Sequence, residues 1–248
     1  MMAGFLIVVR IYTLNTLPPN HWPSELNKFS DLAHQWWDST GPLHTLHDIN
    51  PLRVGWIHER TPLKGLKVLD VGCGGGLLTE AMSRLGAEVT GIDLSEKLIK
   101  IAQLHCLESQ QAIYYQCISV EAYAQTHPAS FDVVTCLEML EHVPRPEDII
   151  RACSHLVKPQ GNVYFSTLNR NSHSYLKAVL AAEYILQWLP RGTHDYEHFI
   201  KPSELTHYAR QADLDIRAMT GLSYSIPRQS FVLTQNTEVN YMAHYTHS

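Results

Sequence analysis

Two glutamates and a histidine, Glu138, Glu141 and His142, fall within the stretch "TCLEMLEHVP" at the end of an apolar run. Carboxylates and an imidazole are the groups that move protons near neutral pH and that ligate divalent metals. If a helical turn starts there, Glu138 faces both Glu141 and His142, at spacings of three and four, and the set would suit magnesium, manganese or zinc. The same residues also fit a metal-free role, with His142 or a glutamate as general base, and a plain capping role. A second polar group, "RGTHDYEHF", holds His194, Asp195, Glu197 and His198. It reads either as a lid over a substrate, with His194 as an alternate base, or as an ordinary loop.

The elements around these residues set where they stand. From Leu66 onward, the runs "LKVLDVG", "EVTGID", "AIYYQCI", "FDVVTCL" and "GNVYFSTL" are short, apolar and rich in β-branched residues, and helical patterns separate the early ones. Near the end, "KPSELTHYARQADL" reads as a helix opened by Pro202 and Ser203, followed by the strand patterns "DIRAMTG" and "SFVLTQ". Alternation of this kind predicts an α/β fold, a mostly parallel sheet of about seven strands with helices on both faces. Residues 29–62 read as a helical cap broken by Pro42 and Pro51. The Glu/His group then lies just past the C-terminal end of the fourth strand, where open parallel sheets bind their ligands.

Directly after the first strand comes "LDVGCGGGLLTEAM", with Gly72, Gly74 and Gly76 alternating before a helix. Glycines there let a ligand approach the main chain and the unpaired N–H groups of a helix start. The third glycine of a dinucleotide fingerprint is replaced by Leu77, which disfavours a reductase. The pattern present is Asp-x-Gly-x-Gly-x-Gly from Asp70, and the second strand ends in Asp93, where a carboxylate can accept ribose hydroxyl hydrogens.

This run resembles motif I of the class I S-adenosylmethionine-dependent methyltransferases, which implies a Rossmann-like fold. The likeness goes further: "INPLR", "FDVVTCLEMLEHVP", "FSTLNRN", "PRGTHD", "FIKPSEL" and "VNYM" are similar to the ubiquinone-biosynthesis O-methyltransferases, over almost everything from Phe29 to Met242. The resemblance implies S-adenosylmethionine as cofactor, contacted by Arg53, Asp70, Gly72, Gly74, Asp93 and Leu137, with Arg53 on its methionine carboxylate. It implies a polyprenylated phenol, catechol or quinol as methyl acceptor, and a divalent metal such as Mg2+ on Glu138, Glu141 and His142. The catalytic set is then Glu138, His142 and His194. "KPQG" departs from the family by placing Gln160 and Gly161 where a glycine pair is usual, which alters a turn.

Composition bounds the alternatives. The chain has 248 residues, 45% of them hydrophobic and 17% charged, with a net charge of −5; this is an ordinary globular balance and argues against nucleic acid held by phosphate contacts. Five cysteines without CxxC spacing suit a reducing cytoplasm. We expect residues 1–28 to be a structureless extension and 29–248 one methyltransferase domain, with an apolar insertion at 170–200. Within that insertion "SYLKAVLAAEYILQWLP" is too short to span a bilayer. It reads as a core helix or dimer contact, or as an element dipping into an anionic lipid surface at the inner face of the cell membrane, where other ubiquinone-biosynthesis enzymes would be neighbours. Competing readings are a methyltransferase for another small phenol and a non-catalytic cofactor-binding scaffold.

Overall fold

The computed structural model describes residues 20–170, 198–225 and 227–248. Helices are α1 (Pro23–Asp31), α2 (His44–Arg60), α3 (Leu77–Arg84), α4 (Glu96–Glu108), α5 (Val120–Ala124), α6 (Pro146–Leu156) and α7 (Pro202–Gln211). Strands are β1 (Lys67–Val71), β2 (Glu88–Asp93), β3 (Tyr114–Cys117), β4 (Phe131–Leu137), β5 (Val157–Leu168), β6 (Leu214–Ser225), β7 (Ser230–Thr234) and β8 (Asn240–His247). They form one sheet in the order β3-β2-β1-β4-β5-β8-β6-β7. The first five strands in that order are parallel, and β8 runs antiparallel between β5 and β6.

Period-two alternation explains the core. In β1, β4, β5 and β8, Leu69, Val71, Val134, Cys136, Val163, Phe165, Tyr241, Ala243 and Tyr245 join α6 and α7 in one cluster. Their neighbours Val68, Val133, Tyr164 and Met242 face the other way, onto Trp56, Ile57 and Met82 of α2 and α3. A strand that is apolar on both faces is what a sheet covered on both sides requires.

Three expectations are corrected. The sheet has eight strands rather than seven, and the additional one, β8, sits inside it. The cap helix does not break at Pro51: α2 runs through it, because Ile49, Asn50, Arg53, Val54, Trp56 and Ile57 are buried on either side and Asn50 Nδ2 donates to the Leu77 carbonyl at 3.1 Å. Structure also begins before residue 29, since α1 starts at Pro23 and Asn20 bonds Glu121 and the Arg145 carbonyl. The insertion expected at 170–200 lies mostly outside the described residues, as does His194. Gln160 takes φ 63°, a left-handed turn inside the "KPQG" segment.

Away from the strand ends, Tyr164 and His244 are paired across β5 and β8, with ring centroids 4.5 Å apart and planes 8° from parallel. His244 Nε2 meets Asn162 Oδ1 at 2.8 Å. Burial, and then the positive charges of Arg60 and Arg217, push the imidazole down to about 4. The folded value lies below the unfolded one, so the stability contributed by the neutral ring is complete above about pH 6.5 and is lost as pH falls toward 4. Asp70 and Glu141, both pushed up to about 7, act in the opposite sense over part of this window. A comparison with His244→Gln isolates the histidine: the stability advantage of the unaltered chain in urea should shrink between pH 7.5 and 4.5. An advantage that stayed constant would contradict this.

Candidate active site

The glycine loop leaves β1 with Gly72, Gly74 and Gly76 at φ 71°, 55° and 94°. The Gly72 and Cys73 N–H groups donate to the Ile92 carbonyl at 2.9 and 3.0 Å, which pins the loop to β2. Asp93 ends β2 and fastens the same loop: its Oδ2 accepts from Gly74 N–H at 3.0 Å and its Oδ1 from Ser95 N–H at 2.7 Å. Burial raises its pKa, against the pull of those backbone bonds. A carboxylate has about four lone-pair positions, so hydroxyl hydrogens can still be accepted. Asp70 lies lower, buried within β1, where it accepts Thr135 Oγ1–H at 2.7 Å. Burial is what pushes its carboxyl up to about 7. It forms the floor under the loop.

Two tryptophans of the cap close over this cradle. A Cβ added to Gly74 or Gly75 would come within 2.3 or 2.4 Å of the Trp36 ring. Trp37 Nε1 donates to the Gly75 carbonyl at 3.0 Å and stacks on His105 at 3.4 Å. His105 in turn meets the fully buried Glu80 at 2.6 Å, and Glu80 also holds Arg84 at 2.8 Å.

At the other end of the site, Leu137 closes β4 and Glu138 follows at φ 52°. That left-handed residue turns the chain and aims its carboxylate across the strand ends. Ser166 Oγ of β5 donates to Oε1 at 2.7 Å, and Asn240 Nδ2 of β8 reaches both oxygens at 3.2 Å. Arg53 of α2 places Nη2 2.8 Å from Oε1. This is a charge contact without hydrogen-bond geometry: the buried Nε and Nη2 have no hydrogen-bond partner among the described residues.

Glu141 and His142 point elsewhere. Glu141 is buried and accepts Thr167 Oγ1–H at 2.7 Å; desolvation, then the charge of Glu138, pushes it up to about 7. His142 Nδ1 meets Glu25 Oε2 of α1 at 2.8 Å, with the Phe29 ring edge-on at 5.1 Å. Burial alone would lower the imidazole, but the Glu25, Glu141 and Glu138 carboxylates raise it. The bond from His142 is the main reason why Glu25 is held down to about 2.

The metal reading is therefore corrected. Glu138, Glu141 and His142 are each engaged by a separate partner, Arg53, Thr167 and Glu25, rather than grouped as ligands. Among the described residues, no group of three or more His, Cys, Asp or Glu side chains could hold a metal ion. A nucleoside with an amino-acid end fits better. The glycine loop and Asp93 form one side of the cleft, and Arg53 holds Nε and Nη2 buried without a hydrogen bond among the described residues, Nη2 touching Glu138 by charge alone. Glu25, Trp36, Trp37, Ser166, Thr167 and Asn240 were not among the expected site residues. Ser166, Thr167 and Asn240 do lie within "FSTLNRN" and "VNYM", as polar residues at strand ends.

Comparison with known proteins agrees with this geometry. Residues 50–218 match the methyltransferase domain family. Among solved structures, magnesium protoporphyrin IX methyltransferase from Synechocystis PCC 6803 shares the fold with a TM-score of 0.64 at 19% identity, over 90% of this chain and all of that one. The ubiquinone biosynthesis O-methyltransferase of Azoarcus sp. (strain BH72) is 57% identical over 90% of this chain and 95% of the relative. That of Thiobacillus denitrificans is 57% identical over 88% and 94%. At that identity over nearly the full length of both proteins, the chain belongs to the ubiquinone biosynthesis O-methyltransferases.

Proposed function

We infer that this chain transfers a methyl group from S-adenosylmethionine to a ring hydroxyl of a polyprenylated phenol, catechol or quinol. The observation that carries the reading is a glycine loop fastened by Asp93 together with the Arg53 guanidinium, whose buried Nε and Nη2 make no hydrogen bond among the described residues, Nη2 touching Glu138 by charge alone. A carboxylate on an amino-acid end satisfies them. When bound, the cofactor supplies an electrophilic methyl on a sulfonium, which leaves as a neutral thioether.

The protein's own part is alignment and proton removal. Displacement needs oxygen, methyl carbon and sulfur in line with water excluded, and orientation alone removes much of the barrier. Trp36 and Trp37 close the cofactor side. A phenol is mostly protonated at neutral pH, so a base is needed. We assign that role to His142: Glu25 orients the ring through Nδ1, and the imidazole takes the hydroxyl proton as the new oxygen–carbon bond forms. His194 remains an alternate proton acceptor.

A polyprenyl tail resides in the bilayer, and no helix among the described residues is long and apolar enough to cross one. The enzyme then meets its acceptor at the surface, through residues 174–190 against anionic lipid at the inner face of the membrane. The test is transfer of labelled methyl from S-adenosylmethionine to a short-chain polyprenyl catechol. We expect label on a ring hydroxyl and little on the unprenylated ring; a protein that labels no polyprenyl phenol or catechol would overturn the reading.

A further inference from the structure

We propose that Asn240 receives the hydroxyl adjacent to the one being methylated, and that Glu138 is the bracket joining Asn240 to Arg53 rather than a base or a metal ligand. The inference rests on the methyl-transfer reading and adds to it the residue that recognises a catechol.

Asn240 opens β8. Its amide orientation follows from its neighbour, because a carboxylate can only accept, so the Nδ2 group faces Glu138 at 3.2 Å from each oxygen. Oδ1 is therefore turned away from Glu138. It is buried and has no hydrogen-bond partner among the described residues. An unpaired buried acceptor is unfavourable, and the working complex relieves it with a donor. Carboxylate or phosphate groups have no hydrogen to offer, whereas a neutral phenolic hydroxyl has one, as does the ammonium of an amino-acid end.

Strand order sets Asn240 apart from the nucleoside end of the cofactor, and the cofactor affinity of Asn240 variants is what separates the methyl acceptor from the cofactor's amino-acid end as the donor. The glycine loop and Asp93 stand on β1 and β2, on one side of β4, while β5 and β8 follow on the other. At a strand spacing of roughly 4.8 Å, β8 lies about 10 Å from β4 and about 14 Å from β1. Glu138, at the end of β4, touches both Arg53 and Asn240 through its carboxylate, with Oε1 common to the two. Chemistry then selects the hydroxyl. The attacking oxygen gains negative charge as its proton leaves, and an amide oxygen beside it would oppose that charge. A hydroxyl that keeps its proton is the one Oδ1 suits, which makes Asn240 selective for a ring with two adjacent hydroxyls.

The experiment compares a polyprenyl catechol with the same ring lacking the neighbouring hydroxyl, on unaltered protein, Asn240→Ala and Asn240→Ser. Serine still offers Glu138 a donor, which keeps the test available if alanine fails to fold. The unaltered protein should prefer the catechol in kcat/KM by about tenfold to a hundredfold, the span expected from leaving one buried neutral acceptor unpaired. Both variants should bring that preference close to one while S-adenosylmethionine affinity changes less than about threefold. Glu138→Gln should weaken both cofactor affinity and catechol preference, and excess Mg2+ should not restore either. A folded Asn240 variant that keeps the preference, or a Glu138→Gln enzyme rescued by Mg2+, would overturn the inference. Unaltered protein inactive on both rings would instead overturn the reading on which it rests.

Discussion

Arg53→Met should bind S-adenosylmethionine about a hundredfold or more weakly than the unaltered chain, and still fold. Hydrogen bonds to charged groups contribute about 1.5–3 kcal/mol each, and about 1.4 kcal/mol is a factor of ten in affinity. Two buried guanidinium nitrogens that make no hydrogen bond among the described residues, one of them in charge contact with Glu138, can supply two such bonds to one carboxylate. Methionine fills similar space but offers none. The folded state loses less than the about 3–5 kcal/mol typical of breaking a fully buried pair, because Ser166 and Asn240 continue to hold Glu138. Arg53→Lys should fall between, since it keeps the charge but loses the planar fork. Calorimetric titration measures all three, and an Arg53→Met protein with unchanged affinity would remove this residue from the site.

Gly74→Val should abolish cofactor binding and lower stability together. Two separate obstacles meet at this position: φ is 55°, disfavoured for a β-branched residue, and a Cβ would stand 2.3 Å from the Trp36 ring. Overpacking of this kind costs about 1–3 kcal/mol, and forcing the left-handed backbone adds about 1–2 kcal/mol. Adding Trp36→Ala separates the obstacles. The double variant should regain part of the lost melting temperature but not the binding, since the indole is gone and the loop backbone stays strained. Full recovery of binding in the double variant would show that the clash alone mattered.

What could be read from the chain divides along physical lines. The parallel half of the sheet was legible because β1, β2 and β4 are continuous β-branched runs, and Asp93 was legible because it ends one of them. β8 was not, because "NYMAHYTH" carries Asn240 and two histidines, so its apolar residues look sparse; only stacking on Tyr164 makes His244 a core residue. Pro51 reads as a breaker, and packing on both sides of it overrides that propensity. Spacing put Glu138, Glu141 and His142 together, yet helical periodicity does not apply where Glu138 turns at φ 52°. Their true partners, Arg53, Thr167 and Glu25, lie 26 or more positions away along the chain. No local pattern carries information of that kind.

The place of β8 also constrains how the chain reaches its native state. In sequence β6 and β7 precede β8, but neither pairs directly with the earlier strands, and both join the sheet only through β8. The half bearing the glycine loop can assemble from β1 to β5 as they emerge during synthesis, while β6 and β7 wait as an isolated hairpin, marginal by itself in water. Closure is thus a late event of long sequence separation, the slow kind. It is also the event that brings Asn240 to Glu138, so the chain acquires its cofactor cradle before it acquires the means to choose what is methylated.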